Sequence, residues 1–293
     1  MLDRIDHLVV PVPDLESAAA AYERLGLVLT PETAHQGMGT ANRAAFIGSS
    51  AADFSYIELL GITDGALLAG GPREHYLQAA EAGGALASIA FGTSGLTVLV
   101  AKLRAAGMTA DVREVRAADG RTLADTAILP SAGALPFAVT LLQYPETWHA
   151  RFDRSAGAGR FAHTFPLKRL DHLALIAPDL DAATALWTGP LGLRVAGAIR
   201  APGMVIRQIQ AGGAILELLG PDGPGSRMAG RPAGLASMAA WEVQGSLDDA
   251  VRLAGSRGFT VSEPEAGVIP GTRRASIPAA ELGGLGMQLL EYV

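Results

Sequence analysis

The chain has no cysteine among its 293 residues, and it is poor in aromatic side chains (5%) and in charged side chains (18%). Without cysteine there can be no disulfide, no thiolate metal site and no cysteine nucleophile. A bound metal would have to use His, Asp, Glu or Gln. The net charge of −6 and the lack of any basic block exclude nucleic acid and an anionic membrane surface as expected partners. A small molecule or another protein remains as the expected partner.

The sequence also lacks an uninterrupted hydrophobic run of membrane-spanning length. The best candidate, Ala85 to Leu103, is broken by Gly92, Thr93, Ser94 and Gly95 in the manner of a strand-to-helix turn. The opening MLDRID places charges where a signal peptide needs apolar residues. These features predict a cytoplasmic protein. The absence of a glycine-rich phosphate loop, a Ser-His-Asp order and an HExxH motif predicts no nucleotide cofactor and no serine or zinc hydrolase chemistry.

What the sequence does contain is a repeat. RIDHLVVPVPDL at residues 4 to 15 returns as RLDHLALIAPDL at 169 to 180, so that His7 and His172 each lie within an apolar strand. A buried imidazole without a partner costs about 1–3 kcal/mol, so each histidine needs a polar neighbour. Glu58 in SYIELLG and Glu217 in AILELLG follow at comparable distances and are the predicted neighbours.

The secondary-structure pattern is repeated four times. Asp14 is typical of a helix cap and Gly26 of a helix end, and strands are predicted near 27–33, 44–48 and 55–61. The unit βαβββ recurs from Ala85, with a helix at 96–106 and strands near 111–117, 122–129 and 137–144, and the second half repeats both units. We therefore predict an α+β fold of two tandem half-barrel domains, 1–150 and 167–293, joined by a linker at 151–166, in a monomer or homodimer.

The final strand of each half adds a third oxygen donor, Gln143 in TLLQYP and Glu291 in QLLEYV. Each half then has one candidate set, and the sets are His7, Glu58 and Gln143, and His172, Glu217 and Glu291. One imidazole with two carboxylates suits Zn²⁺, Mn²⁺, Fe²⁺, Co²⁺ or Ni²⁺ and leaves positions for substrate. The second set is therefore favoured for the metal, with Glu217 and Glu291 as catalytic residues. In the alternative, His and Glu hydrogen-bond each other without metal.

Further polar residues are candidates for binding a substrate. The loop GMGTANR at 37–43 carries Asn42 and Arg43, which could orient a carbonyl or carboxylate. His35 precedes this loop and could act as an acid or base, although a histidine at such a position is more often a surface residue. Arg274, in the GTRRASIP segment, could bind an anionic group.

The segments RIDHLVVPVPDL, HQGMGTANR at 35–43 and YIELLG at 56–61 resemble a glyoxalase-like domain of the vicinal oxygen chelate superfamily. The resemblance implies paired βαβββ units over nearly the whole chain and four metal-ligand positions in each half. Carried over by position, these are His7, Glu58, Ser88 and Gln143, and then His172, Glu217, Ser237 and Glu291. Serine is a poor ligand where relatives often have histidine, so the resemblance implies a three-ligand site or none.

Three functional hypotheses follow. The first is a divalent-metal-dependent enzyme of the lyase, isomerase or dioxygenase type that polarises a small oxygenated substrate in a half-barrel cleft. The second is a metal-free protein that sequesters a small molecule, as the drug-binding members of the superfamily do. The third is a scaffold in which neither cleft is used.

Overall fold

A computed structural model describes residues 1–116 and 120–293 of the chain. The strands described in the first half are β1 (Arg4–Val12), β2 (Thr33–His35), β3 (Thr40–Ile47), β4 (Ser55–Ile62), β5 (Ser88–Gly92), β6 (Val112–Arg116), β7 (Thr122–Leu129) and β8 (Ala138–Gln143). The helices there are α1 (Leu15–Leu25), α2 (Glu74–Glu81) and α3 (Leu96–Ala105), followed by α4 (Trp148–Gly157).

The second half repeats this order. Its strands are β9 (Leu167–Ile176), β10 (Arg194–Ala201), β11 (Met204–Ala211), β12 (Ala214–Gly220), β13 (Gly234–Val243), β14 (Glu265–Ala266), β15 (Thr272–Ile277) and β16 (Gly286–Tyr292). Its helices are α5 (Leu180–Thr188) and α6 (Leu247–Ser256).

Each half forms one eight-stranded mixed sheet. The hydrogen-bonded order is β2-β3-β4-β1-β5-β8-β7-β6 in the first sheet and β10-β11-β12-β9-β13-β16-β15-β14 in the second. The order is the same in both halves, with β1 or β9 parallel to the last strand of its own unit. This confirms the predicted α+β fold of four βαβββ units in two sheets.

Two predicted strands do not match the structure over their full length. The strand predicted near 27–33 is wrong, because this segment has only a single bridge from Leu29 to Ala45 before the short strand β2. The strand predicted near 111–117 is found as β6, and its last predicted residue, Ala117, lies outside the described residues. The other strands and the helices predicted after Asp14, Gly95, Asp179 and Ser246 are confirmed.

The predicted ends of α1 are also confirmed. The Asp14 carboxylate accepts hydrogen bonds from the backbone N–H groups of Glu16 and Ser17, which have no partner within the helix. Gly26 ends the helix with a φ of 99°, a left-handed conformation that costs glycine little. Local sequence chemistry is therefore sufficient to place both ends of α1.

The helices identify one face of each sheet. A Cβ added to Gly61 would lie 2.9 Å from Leu15 of α1, and one added to Gly220 would lie 3.0 Å from Leu180 of α5. Because strand side chains alternate, the neighbours of these glycines at every second position face the helices as well. Glu58 and Glu217 have the opposite parity, so both glutamates point away from the helix of their own unit.

By its internal contacts the chain divides into two compact parts, which differ from the βαβββ units. One part comprises Met1–Asp6, Ser88–Glu146 and His172–Ala236, and the other comprises His7–Ala87, Thr147–Asp171 and Ser237–Val293. Each part therefore contains segments from both halves of the chain. The domain limits expected from the sequence, 1–150 and 167–293, stay a prediction.

The segment expected to be an irregular linker contains helix α4. Thr147 caps this helix by accepting a hydrogen bond from the backbone N–H of Ala150. After the helix, His163 ties the segment to the first βαβββ unit: its Nδ1 accepts from the Val28 N–H at 2.9 Å, and its Nε2 lies 2.6 Å from the Phe46 carbonyl oxygen. These two bonds require the neutral imidazole with its proton on Nε2.

We expect stability to fall with acid because of His163. Burial lowers its pKa from the ordinary value near 6.5, although the hydrogen bond to the Phe46 carbonyl opposes this. Above about pH 6.5 both the folded and the unfolded chain keep this imidazole neutral, and the full stability is present. Below that pH the unfolded chain takes up a proton that the folded chain resists, so the free energy of unfolding decreases until the lowered folded pKa is reached.

Urea unfolding at pH 7.5 and 5.0 measures this effect. His163→Leu should have a lower free energy of unfolding than the parent at pH 7.5, because the Val28 N–H loses its acceptor. Between pH 7.5 and pH 5.0, however, the free energy of unfolding should decrease less in the variant than in the parent. Burial also lowers the pKa of His75, which keeps part of the acid sensitivity in the variant. If the free energy of unfolding decreases equally in parent and variant between the two pH values, the acid sensitivity does not come from His163.

Candidate functional site

The first candidate site is formed by His7 and Glu58 on neighbouring parallel strands. β1 and β4 pair with His7 opposite Tyr56 and Val9 opposite Glu58, so the two side chains lie side by side on the face away from α1. His7 Nε2 is 3.3 Å from Glu58 Oε2, and the side chains are only 8% and 11% exposed. The structure thus brings together the two residues that the repeat predicted.

Two residues from β2 and β3 join this pair. Asn42 donates a hydrogen bond from Nδ2 to Glu58 Oε1. His35 lies with Nε2 3.9 Å from the same oxygen, and its Nδ1 is held 2.8 Å from Thr40 Oγ1. Glu58 is therefore surrounded by two imidazoles and an amide. Of the sequence candidates for substrate binding, His35 and Asn42 both lie in this cluster.

The electrostatics favour an ionised Glu58. Burial by itself acts to raise the pKa of this carboxyl, but the hydrogen bond and charge of His7, the charge of His35 and the hydrogen bond from Asn42 outweigh it, and the net pKa is lowered. A carboxylate this deeply buried needs a compensating positive charge close by. Either a protonated imidazole or a bound cation can provide it.

Aromatic rings hold the His7 imidazole in place. Tyr56 stacks on His7 with ring centroids 4.4 Å apart, and Phe46 stacks on Tyr56 at 4.7 Å, so three rings follow one another across β1, β4 and β3. Phe161 meets Phe46 edge-on at 6.2 Å. The sequence pattern did not predict a role for Tyr56 or Phe46, although strand alternation already placed Tyr56 on the same face as Glu58.

The second half contains a looser version of the pair. His172 Nε2 is 3.8 Å from Glu217 Oε2, and Gln208 donates a hydrogen bond from Nε2 to Glu217 Oε1 at 3.0 Å. Gln208 thus makes the contact that Asn42 makes in the first half. Ile215 stands opposite His172 in the strand pairing, whereas Tyr56 stands opposite His7 in the first half. The stacking of Tyr56 on His7 is therefore not repeated at this position.

Gln143 and Glu291, the predicted final-strand ligands, have other partners. Gln143 Oε1 accepts a hydrogen bond of 2.7 Å from the backbone N–H of Leu96, the first residue of α3. Glu291 is 3.1 Å from Arg273 Nη1, and Arg273 is also paired with Asp248 in the first turn of α6. Gln143 therefore caps the start of α3, and Glu291 joins β16 to Arg273 of β15.

The remaining sequence candidates are placed as follows. Arg43 of β3 is paired with Glu23 near the end of α1 and donates to the Thr30 carbonyl at 3.0 Å, so it joins β3 to the end of α1 and to the segment after it. Arg274 is paired with Glu265 at 2.7 Å on β14 and β15. Ser88 is fully buried and donates to the Ala138 carbonyl at 2.8 Å, whereas Ser237 is exposed.

The aspartate of the repeated DHL motif also has a defined role, which the sequence argument missed. The Tyr144 hydroxyl donates to Asp6 at 2.9 Å, and the Tyr292 hydroxyl donates to Asp171 at 2.8 Å. Asp171 is further paired with Arg169, which also binds Glu242. The repeated tyrosine of QYP and EYV was the available signal. In both halves the motif thus joins its own first strand to the end of the last strand.

Within residues 1–116 and 120–293, no three His, Asp or Glu side chains are grouped closely enough to hold a metal. The same part of the chain has no helix long and apolar enough to cross a membrane. The cluster at Glu58 brings two imidazoles to one carboxyl, with His7 Nε2 at 3.3 Å and His35 Nε2 at 3.9 Å from its oxygens.

Comparison with known proteins identifies the family. Residues 5–165 match the model of a glyoxalase-like domain, and residues 171–275 match that of the glyoxalase/bleomycin resistance protein/dioxygenase superfamily. The chain belongs to this superfamily, also called the vicinal oxygen chelate superfamily, and carries two of its domains in tandem. The resemblance inferred from the sequence is confirmed.

Individual relatives agree with this assignment. An ethylmalonyl-CoA/methylmalonyl-CoA epimerase from Cereibacter sphaeroides is 36% identical over 107 residues, which is 34% of this chain and 80% of the epimerase. A mutant of 4-hydroxymandelate synthase from Streptomyces coelicolor superimposes with a TM-score of 0.66 at 16% identity, covering 100% of this chain and 93% of its own. The Mn(II)-bound glyoxalase from Novosphingobium aromaticivorans gives 0.63 at 14% identity, covering 99% and 82%. At such identities the two structures support the fold alone.

Proposed function

We propose that this protein is a divalent-metal-dependent enzyme of the superfamily, with its reactive site at His7 and Glu58 of the first half. The observation that carries the proposal is the buried Glu58 carboxyl, with His7 Nε2 3.3 Å from one oxygen and His35 Nε2 3.9 Å from the other. The reaction we favour is proton transfer next to a carbonyl group of a small oxygenated acid. The kinship with an epimerase supports this choice, as does the presence of a second imidazole beside the first pair.

The first pair would supply two ligands to a cation, and oxygens of substrate or water would have to supply the others. Ligand atoms about 2.1 Å from a divalent ion lie about 3.0–3.4 Å from each other in octahedral or tetrahedral sites, and His7 Nε2 and Glu58 Oε2 are 3.3 Å apart. The corresponding distance in the second half is 3.8 Å. We therefore place the proposed cation in the first half, whereas the set favoured by the sequence, His172, Glu217 and Glu291, stays a proposal for a second site.

The chain's own residues would then have distinct tasks. His7, oriented by Tyr56, and Glu58, oriented by Asn42, would hold the ion, which supplies Lewis-acid stabilisation of negative charge on a substrate oxygen. His35 would accept or return a proton at Nε2, because its Nδ1 is fixed by Thr40 and Nε2 is turned toward the site. Burial of the pair would exclude water from the reacting atoms.

A metal-free binding protein is the second candidate function. The observation in its favour is that Asn42 and His7 already satisfy both oxygens of Glu58 and that the described residues contain no group of three metal ligands. In that case His7 and Glu58 are an internal hydrogen-bonded pair and the cleft only sequesters its ligand.

Titration calorimetry with Mn²⁺ distinguishes the two functions. After treatment with a chelator and gel filtration, we expect the protein to bind Mn²⁺ with micromolar or tighter affinity and its melting temperature to rise on binding. An added excess of Mg²⁺ should compete weakly, since an imidazole ligand favours Mn²⁺. A protein that takes up no Mn²⁺, Zn²⁺ or Co²⁺ and melts at the same temperature with and without them would be the metal-free binder.

A further inference from the structure

A mostly apolar pocket of about 300 Å³ lies beside the start of helix α5. Its lining includes the buried side chains of Ala177 and Ala183, and exposed residues such as Gly133 stand at its rim. All of the lining residues belong to one compact part of the chain, and that part does not contain the pair of His7 and Glu58. The pocket is therefore a different site from the one proposed above.

The corresponding place in the other compact part is closed by backbone. There Gly84 crosses Gly283 so closely that a Cβ added to Gly84 would overlap the Gly283 carbonyl oxygen. A Cβ added to Gly283 would in turn lie 3.1 Å from Val12 Cγ1 and 3.3 Å from Ala18 Cβ. The connection between the last two strands of the unit thus packs directly against the start of α1.

Two sequence differences account for the opening beside α5. Ala177 stands in the second copy of the repeat where Val12 stands in the first, so the side chain there is smaller by two carbon atoms. Ala233 stands two residues before LASMAA, as Gly84 stands two residues before LASIAF. Because a Cβ at Gly84 would overlap a carbonyl oxygen, an alanine at the corresponding position does not permit the close crossing. The chain segments around Ala233 are therefore held apart, and the pocket lies between them.

The rim of the pocket is negatively charged. Asp179 is the only ionisable side chain among the described residues of the lining. It caps α5 by accepting a hydrogen bond of 2.9 Å from the Ala182 N–H, and within the described part of the chain its carboxylate makes no other. Asp14, the corresponding cap of α1, also accepts from Ser17 Oγ at 2.6 Å, but Ala182 stands where Ser17 would be. The second oxygen of Asp179 is thus available, and its full charge exceeds the partial charge of about +0.5 at a helix N-terminus.

We propose that this pocket binds a small organic amine, with an aromatic or alkyl body on the apolar lining and an ammonium group beside Asp179. An apolar cavity of about 150 Å³ accepts a benzene molecule, so this volume has room for one ring with a short chain. The apolar body supplies most of the affinity, because an exposed ion pair adds about fivefold at most. The site goes beyond the proposed enzymatic function and needs no metal.

Three ligands of similar size and different charge test the proposal: 2-phenylethylamine, 2-phenylethanol and 3-phenylpropanoate. Each is titrated into the ¹⁵N-labelled full chain, and the indole N–H signal of Trp187 is followed. Trp187 lies one helical turn after Ala183, and its ring stacks at 6.4 Å on Phe137, which follows Pro136 of the lining. We expect the amine to shift this signal saturably with a dissociation constant of about 5 mM or tighter, and to bind about threefold or more tighter than the carboxylate.

Four variants identify the parts of the site. Asp179→Asn keeps the helix cap but removes the charge, so it should abolish the preference for the amine over the carboxylate. Asp14→Asn is the matched control at the cap of α1, and it should leave all three affinities unchanged. Ala177→Val restores the larger side chain of the closed place and should weaken the amine about fivefold or more. Ala182→Leu fills the rim from an exposed position of α5, which covers the case that Ala177→Val does not fold.

Several results would overturn the proposal. It is wrong if no ligand shifts the Trp187 signal saturably, if the amine and the carboxylate bind equally, or if folded Ala177→Val and Ala182→Leu both keep the parent affinity. It is also wrong if Asp14→Asn removes the preference for the amine as Asp179→Asn does. None of these results bears on Mn²⁺ binding, so the pocket and the proposed metal site are tested independently.

Discussion

Glu58→Gln is expected to weaken Mn²⁺ binding by about a hundredfold or more, because the substitution removes the proposed anionic ligand and keeps the size of the side chain. Glutamine still fits between His7 and Asn42. The free energy of unfolding of the metal-free protein should therefore change by less than the free energy of Mn²⁺ binding. Titration calorimetry of parent and variant under identical buffer conditions measures the effect.

The matched control for this prediction is Glu217→Gln. Glu217 stands in the same ELLG context, is similarly buried and has an equivalent amide partner, Gln208. Its histidine, however, is 3.8 Å away, and His35 has no counterpart described beside it. The control should retain the high-affinity Mn²⁺ site of the parent. If Glu217→Gln abolishes binding and Glu58→Gln does not, the metal belongs to the second half, as the sequence argument favoured.

Gly84→Ala is expected to destabilise the protein by about 3 kcal/mol or more. Gly84 has a φ of 95°, and a Cβ at this position would overlap the backbone carbonyl oxygen of Gly283. Two backbone segments cross here, so neither can move aside as a flexible side chain would. The left-handed conformation itself adds about 1–2 kcal/mol for a residue with a Cβ.

The neighbouring residue provides the control for backbone conformation. Gly83 has a φ of 101°, and a Cβ added there would meet no atom within 4 Å. Gly83→Ala should therefore cost only the conformational part, about 1–2 kcal/mol. Urea unfolding of the two variants gives both values. Equal losses would mean that the crossing at Gly283 relaxes freely.

The fold could be inferred from the sequence because its signals are local and repeated. Asp14 and Gly26 carry cap chemistry that needs no tertiary context, and the DHL and ELLG segments recur with the alternation of half-buried strands. The segment at 27–33 was wrongly assigned because an apolar run of this length suits a strand, whereas pairing is limited to a bridge at Leu29. Helix α4 was hidden by its mixed composition.

The candidate site could be inferred only in part. The pairing of His7 with Glu58 and of His172 with Glu217 followed from the cost of a buried, unpaired imidazole. Gln143 and Glu291 were chosen by the same alternation, but a period of two says which residues share a face and not which face bears the helices. The structure shows Gln143 at the start of α3 and Glu291 paired with Arg273.

The sequence by itself determined the superfamily, the four βαβββ units and the two His–Glu pairs, since repetition and hydrophobic alternation are properties of the chain. Only the tertiary structure decided that His35 and Asn42 gather around Glu58 and that Leu68 and Tyr76 pack against Val9 and Leu60. These contacts join strands and loops that are distant along the chain. They depend on strand order and register, which short-range residue preferences do not encode.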